Sequence, residues 1–437
     1  MNTRLIAILT LLAAGAFVAC SQAAKPAGNP AADRGAAAVA TADPGDNRSR
    51  AVSTGNPIPR QCKAVTPPAW PAANITSPST IAFDDQNFYT IDGRRFFPLG
   101  FYDMPTDAAG LAQYKSEGFN IGLGGGGCCD GTDLQTQLDL LTAAQTAGVF
   151  LILTPLSNIG DLLTMTPARL AADFGPRDAI GSLFGWYTFD EPSLTGVSKT
   201  LAAGVHSVLS TIDATHLDTL TDAPVSNLDQ YVNDCAAFMV DAYPSNWIPL
   251  SYVKEVMVEA EAATQGKKPV GGVMQAFSWN CVWGNDSSDY HPNAVEVRNM
   301  AWQFIIQGAK GLIPYSYDGT CTIHEQPDIW SAFLTDVAEM NALMGVLLAD
   351  DFTLDLAPQT DFPTMFDYLV KREATATWAL TISSSERTLA VNLDFSALGS
   401  DLCIVDYTTG DVFVQDAQGR VNVSYDAYQV RILEVLN

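Results

Sequence analysis

From residue 96 to about residue 349, short apolar runs alternate with longer segments of three-to-four-residue period. The apolar runs, each five to nine residues long, predict strands at 96–102, 119–124, 149–155, 183–191, 217–221, 236–243, 270–277 and 311–317. The longer segments predict helices at 108–117, 132–146, 167–174, 195–212, 225–233, 252–264, 294–308 and 327–348. Eight strands alternating with eight helices give a (β/α)8 barrel over residues 81–349. Ahead of it, Asp92-Gly93 between strand-like runs predicts a hairpin that caps the lower mouth of the barrel. After Asp351 the period changes to two. Strands expected at 368–370, 376–383, 388–393, 402–405, 412–414 and 429–435 make residues 350–437 a small all-β sandwich.

No G-x-G-x-x-G opens a helix near the start, which speaks against a doubly wound nucleotide-binding sheet. The run Gly124–Gly127 leads into Cys128-Cys129-Asp130, so it reads as a compact turn at the barrel rim. The first twenty residues read as a targeting segment. Arg4 precedes an apolar stretch from Leu5 to Val18 that is too short to span a bilayer comfortably. Phe17-Val18-Ala19-Cys20 resembles the end of a bacterial lipoprotein signal, which implies lipidation at Cys20. Ser21 fits sorting to the outer membrane; a periplasmic or secreted protein is the alternative. Residues 21–80 are rich in Ala, Pro, Gly and Asn without period, as in a flexible tether.

Acids outnumber bases by 48 to 23, a net charge of −25 that leaves no basic patch for nucleic acid. Contact with a membrane is expected only through the lipid. Apart from Cys20, seven cysteines remain in a compartment that permits disulfides. Cys281 and Cys321 follow the seventh and eighth strands, neighbours in a closed barrel, and are expected to pair. The four histidines are scattered, so no metal site and no cofactor are expected, and the chain is expected to be monomeric.

The most informative stretch is Trp186-Tyr187-Thr188-Phe189-Asp190-Glu191-Pro192, a buried strand ending in two adjacent carboxylates. Carboxyl ends of barrel strands carry the chemistry. Together with Asp92 to Gly100, Val240-Asp241-Ala242-Tyr243-Pro244 and Gly308-Ala309-Lys310-Gly311, it resembles the (β/α)8 glycoside hydrolases of the β-galactosidase and cellulase-like superfamily. In that clan the fourth strand ends in Asn-Glu-Pro and its Glu is the general acid/base. The resemblance therefore assigns that role to Glu191, with Tyr187 and Phe189 expected on its strand face to desolvate it. Asp190 replaces the Asn and is expected to bind substrate, or to polarise an acetamido group. The clan's nucleophile, a Glu ending the seventh strand, is replaced by Gln275, so the usual retaining mechanism is not supported.

The second carboxylate is then sought elsewhere. Asp241 is the first choice, with Asp318, Asp103 and Glu325 behind it, while Glu296 sits inside a helix. A separation of about 5–5.5 Å between the carboxyls would imply retention and roughly 6.5–9.5 Å inversion. Tyr102, Tyr243, Trp279 and Tyr317, with Trp283 and other rim aromatics, are candidate platforms for sugar rings. The reading is an exported hydrolase of a neutral or weakly charged oligo- or polysaccharide. Its alternative is a surface lipoprotein that binds glycan on a degenerate glycosidase barrel without cleaving it.

Overall fold

The computed structural model describes Pro67, Trp70, Ile75 and residues 77–124, 133–155, 159–223, 228–245, 248–279, 291–319, 321–374 and 376–436. Cys20, the expected leader and most of the expected tether lie outside these residues. No described helix is long and apolar enough to cross a membrane.

The fold opens with three antiparallel strands, β1 (Ile81–Phe83), β2 (Tyr89–Ile91) and β3 (Arg94–Phe96). Asp92 and Gly93 make the two-residue turn between β2 and β3, both at positive φ (50° and 78°), as a right-twisting hairpin requires. Ile81, Tyr89, Ile91 and Phe96 pack against Phe150, Ile152 and Phe184 inside the barrel, so the hairpin plugs its floor.

Seven parallel strands follow, hydrogen-bonded in chain order: β4 (Gly100–Tyr102), β5 (Ile121–Leu123), β6 (Phe150–Leu153), β7 (Leu183–Asp190), β8 (Leu217–Asp222), β9 (Ala237–Ala242) and β10 (Val270–Met274). The eighth expected strand is an irregular segment, yet it closes the ring. On one side Gly100 N donates to Leu312 O (3.0 Å) and Tyr102 N to Pro314 O (3.0 Å). On the other, Ile313 N donates to Gly272 O (2.9 Å) and Tyr315 N to Met274 O (3.0 Å). Pro314 lacks an N–H, so a continuous ladder cannot form there. Gly272 is needed because a Cβ would meet the Phe304 ring at 2.4 Å.

Most expected helices are present, with shifts at their ends. The segment 225–233 is the exception: its described part holds only a 3-10 turn, Leu228–Gln230. Asp229, Asn233 and Asp234 favour local side-chain bonds over a helix, and the stretch is short. The helix expected from residue 195 starts at Lys199 behind its Ser198 cap. Gly196, at φ 74°, ends a separate turn, Pro192–Thr195.

The C-terminal part is two layers. Strands β11 (Asp350–Asp351), β12 (Phe366–Arg372), β13 (Thr377–Ser383), β15 (Cys403–Asp406), β16 (Val412–Phe413) and β18 (Val430–Leu436) form a sheet of order β11-β12-β13-β18-β15-β16. The pair β14 (Leu389–Asp394) and β17 (Arg420–Tyr425) lies over it, with Val370, Ala379, Val391, Val423 and Leu433 between. β17 was not among the expected strands. The outer face of the larger sheet is also apolar, and Trp378, Leu380, Ile382 and Ile432 join the main core. Asn299, on the helix Ala294–Ile306, donates to Ser383 O (2.9 Å) and Tyr428 O (2.8 Å) across that seam.

Cys321 and Cys403 each belong to a disulfide whose partner lies outside the described residues, and Cys235 is a buried free thiol. Cys281 lies outside the described residues, so its pairing with Cys321 stays an expectation.

Candidate active site

β7 does not alternate regularly, and this shapes the site. Tyr187 pairs with Thr219 of β8, whereas Asp190 pairs with Thr221, so β7 carries one extra residue there. Such a bulge re-aims side chains and is common beside functional sites. Tyr187 therefore points into the barrel while Trp186 and Phe189 join the helical layer. Phe189 does not share the face of Tyr187, contrary to the period-two expectation. The strand ends at Asp190, one residue early, because Glu191 turns into the left-handed region at φ 43° and ψ 56°. A non-glycine residue held there costs energy and persists only where its surroundings fix it.

Glu191 meets Asp241, the buried acid near the end of β9, in carboxyl–carboxyl hydrogen-bond contact. Burial raises the affinity of Glu191 for its proton. The hydrogen bond from Asp241 offsets part of this, and the charges of Asp190 and Asp222 add to it, leaving Glu191 pushed up to about 7. Asp241 is pushed well up by burial and then by the charge of Glu191. Two carboxyls in contact cannot both ionise near neutral pH, so the pair holds a proton as a unit.

Further acids ring the same mouth. Asp103, just past β4, is pushed up to about 6 by burial and by the charges of Asp190 and Asp318. Asp222, the last residue of β8, is pushed up to about 6, chiefly by burial. Asp318 is exposed at the rim, its N–H bonded to Asp103 O at 3.1 Å.

Asp190 is exposed and accepts a hydrogen bond from Tyr187 Oη at 2.5 Å. A phenol has one hydrogen, so Tyr187 must accept from Tyr102 (3.0 Å), and Tyr102 in turn from Thr221 Oγ1 (2.5 Å). Rings continue around the mouth from Tyr102 to Tyr315 (5.6 Å between centroids), Phe277 (5.7 Å), Tyr243 (5.1 Å) and Trp279 (5.9 Å). Trp279 is fixed by its Nε1, which donates to Tyr243 O at 3.1 Å.

Other expected site residues stand elsewhere or do other work. Gln275 is buried; its Oε1 accepts from Ser245 N (2.8 Å) and its Nε2 donates to Phe277 O (3.1 Å), tying down the loop after β9. Tyr317 faces the helices rather than the mouth, packed on Phe101, Tyr114 and Trp330, and its hydroxyl donates to Glu117 at 2.9 Å. Glu296 completes the cap of the helix Ala294–Ile306, and Glu325 accepts from Cys321 N. Trp283 lies outside the described residues. Asp222 escaped the sequence reading, although an acid one residue past a strand at 217–221 was signal enough.

Among the described residues, one group of side chains has metal-ligand spacing: Asp178, Asp213 and His216, with ligand atoms within 4.8 Å of one another. It lies before β8, at the floor of the barrel. Asp213 already accepts from Trp186 Nε1 (2.7 Å), His216 Nδ1 (2.8 Å), His216 N (3.0 Å), Thr215 N (2.9 Å) and Thr215 Oγ1 (2.8 Å). With its oxygens so occupied, the donor set suits a hydrogen-bonded staple better than a cation.

No protein-family model matches the sequence, and no curated protein matches it. Solved structures do match in fold. A glycoside hydrolase of family 5 from Bacteroides vulgatus superposes with a TM-score of 0.56 at 13% identity, covering 82% of this chain and 93% of its own. A second structure, described as a glycoside hydrolase, superposes with a TM-score of 0.54 at 11% identity, covering 82% and 97%. The fold of this chain, a (β/α)8 barrel with a β domain behind it, is therefore similar to that of glycoside hydrolases.

Proposed function

We propose that the protein is a glycoside hydrolase whose proton donor is Glu191. The observation that carries this is the pair of half-buried Glu191 and buried Asp241 at the carboxyl ends of β7 and β9, which retains a proton at neutral pH. A donor of that kind can protonate the departing glycosidic oxygen while water adds to the anomeric carbon. The aromatic arc from Tyr102 to Trp279 suits the apolar faces of sugar rings, and Tyr315, 37% exposed, is its most accessible member. The leading charges at the mouth are carboxylates, which favours a neutral glycan over an anionic one.

Carboxyls in hydrogen-bond contact stand closer than the about 5–5.5 Å of a retaining pair or the roughly 6.5–9.5 Å of an inverting one. In this reading Asp241 shares the pair's proton with Glu191 instead of facing the far side of the sugar, and burial with the charges of Asp190 and Asp222 keeps Glu191 protonated. Asp190 is left for the second role, with Asp318 and Asp103 across the rim as rivals.

The deciding experiment is reducing-end release across a panel of neutral polysaccharides, with Glu191→Gln as the control. Loss of a positioned general acid is worth typically ~10²–10⁴-fold, with aryl glycosides bearing good leaving groups affected least. Undiminished turnover in Glu191→Gln overturns the assignment. Gln275 favours a second reading, since an amide tied to Ser245 and Phe277 supplies no nucleophile. If wild-type protein binds a glycan of the panel and releases no product, it is a binding protein on a hydrolase fold.

The leader sequence supports an address outside the cytoplasm, with lipid on Cys20. Cys20→Ser should then appear in the soluble fraction, and a mutant that stays with membranes rejects the anchor.

A further inference from the structure

We propose that Asp222 is a positioning residue that holds Glu191 against Asp241, acting through Ser193. The inference rests on Glu191 being the proton donor. Asp222 ends β8 and is fully buried. Its Oδ1 accepts from Ser193 N and from Ala223 N, both at 3.1 Å, and its Oδ2 accepts from Ser193 Oγ at 2.6 Å. Ser193 is the second residue after Glu191, in the turn Pro192–Thr195. Pro192 has no N–H, so Ser193 supplies the first donor of that turn, and Asp222 takes it.

Glu191 itself is pinned on both sides. Its N–H donates to Thr221 O at 2.9 Å, one residue before Asp222. Its carbonyl accepts from Leu194 N (2.9 Å), Thr195 N (2.9 Å) and Thr195 Oγ1 (3.0 Å). Backbone bonds thus join Glu191 to β8 and to the turn, and Asp222 joins the turn to β8. The loop closes around a residue in the left-handed region, which an isolated Glu leaves readily. Release of Ser193 frees the turn, and the Glu191 side chain then loses its direction toward Asp241.

The groups facing Glu191 are few enough to name. Asp190 stands beside it on β7, Asp222 on β8, and Asp241 on β9, with Tyr243 just past the end of that strand. Tyr102 and Tyr187 lie under Asp190, while Asp103 faces Asp190 from the far rim with Asp318 beside it. Asp222 therefore has two effects that substitutions separate. Asn at 222 keeps the acceptor for the Ser193 and Ala223 amides and removes the charge; Ala removes both; Ser193→Ala removes the hydroxyl bond and keeps the charge.

The experiment follows the Glu191 carboxyl by carbon-13 NMR in Glu-labelled full-length protein, the signal assigned by its absence from Glu191→Gln. In Ser193→Ala and Asp222→Ala the Glu191 carboxyl leaves its desolvated seat, a loss larger than that of the opposing Asp241 bond, so its midpoint should move down toward the ordinary Glu range; Asp222→Asn should show a smaller shift. With a cleaved glycan, kcat should fall about 10–100-fold in Ser193→Ala and Asp222→Ala with KM little changed, because the loss is one of placement. The alkaline limb of kcat/KM should move down with the midpoint. A wild-type midpoint and wild-type kcat in folded Ser193→Ala and Asp222→Ala overturn the proposal. Should Asp222→Ala fail to fold, Ser193→Ala and Asp222→Asn decide alone. A wild-type protein that cleaves nothing rejects the hydrolase reading, while the NMR titration still decides the clamp.

Discussion

The floor and the mouth of this barrel use the same residue types to opposite ends. At the floor, Asp213 collects five donors, and Arg177 rests its guanidinium on Asp173 (2.8 Å) and over the Trp186 ring (4.5 Å). Burial alone would push the Asp213 carboxyl up, but its bonds with His216 and Trp186 hold it well below the usual carboxylate range. At the mouth, Glu191, Asp222 and Asp103 are pushed the other way, each chiefly by burial. Carboxylates satisfied by donors serve stability; carboxyls crowded by other carboxylates hold protons and serve chemistry. Asp178 is the exception at the floor, pushed up to about 6 by burial and by the charge of the neighbouring Asp213.

That contrast can be broken most forcefully at the floor. Asp213→Ala strands the donors of Trp186, Thr215 and His216 in a dry site, and removing one partner of such a buried group costs about 3–5 kcal/mol. Urea unfolding should show the loss in midpoint; a change under about 1 kcal/mol would mean that the staple contributes little.

A smaller effect separates the two ends by pH. The folded chain holds a proton on Glu191 up to about 7, whereas an ordinary Glu releases it near 4.5. Between those values folding binds a proton, so this group lowers stability as pH rises. Asp213 has the opposite sign: its contribution is complete above the ordinary Asp value of 3.8 and fades as pH falls below it. Glu191→Gln should accordingly melt roughly 2–4 °C above wild type at pH 8, the gap closing toward pH 4.5. Equal melting temperatures across that range would deny the buried pair its strain.

The mildest test is Tyr187→Phe, which deletes the donor that orients Asp190. A neutral hydrogen bond to a charged group is worth about 1.5–3 kcal/mol when buried, and less at an exposed carboxylate such as Asp190. Turnover should fall a few-fold, with folding unchanged. No loss at all would remove Asp190 from the working site.

Much of the scaffold was legible because burial on both faces forces uninterrupted apolar runs such as Leu183 to Phe189. The hairpin was legible from Asp92-Gly93, whose positive φ angles few other pairs accept. Failures arose where backbone irregularity breaks a period. Tyr315 and Tyr317 stand two apart and should share a face, yet one lines the mouth and the other the helical layer, since the segment holding Pro314 is no regular strand. The bulge in β7 likewise parts Tyr187 from Phe189. The contact between Glu191 and Asp241 spans three strands, and no local pattern encodes the stagger that brings them together. Asp222 was lost to a single residue, the strand having been read only as far as Thr221. β17 has the alternating burial of a strand lying over a sheet, a pattern present in Val421, Val423 and Tyr425 and passed over.

The larger C-terminal sheet has apolar side chains on both faces, one set toward β14 and β17 and the other toward the helix Ala294–Ile306. It is a party wall rather than an outer one. Stripping residues 350–437 would bare the flank of the helix whose Phe304 presses on Gly272 in the barrel. Heat or denaturant should therefore meet one body, in which the sandwich and the strands that carry Asp241 and Gln275 yield together.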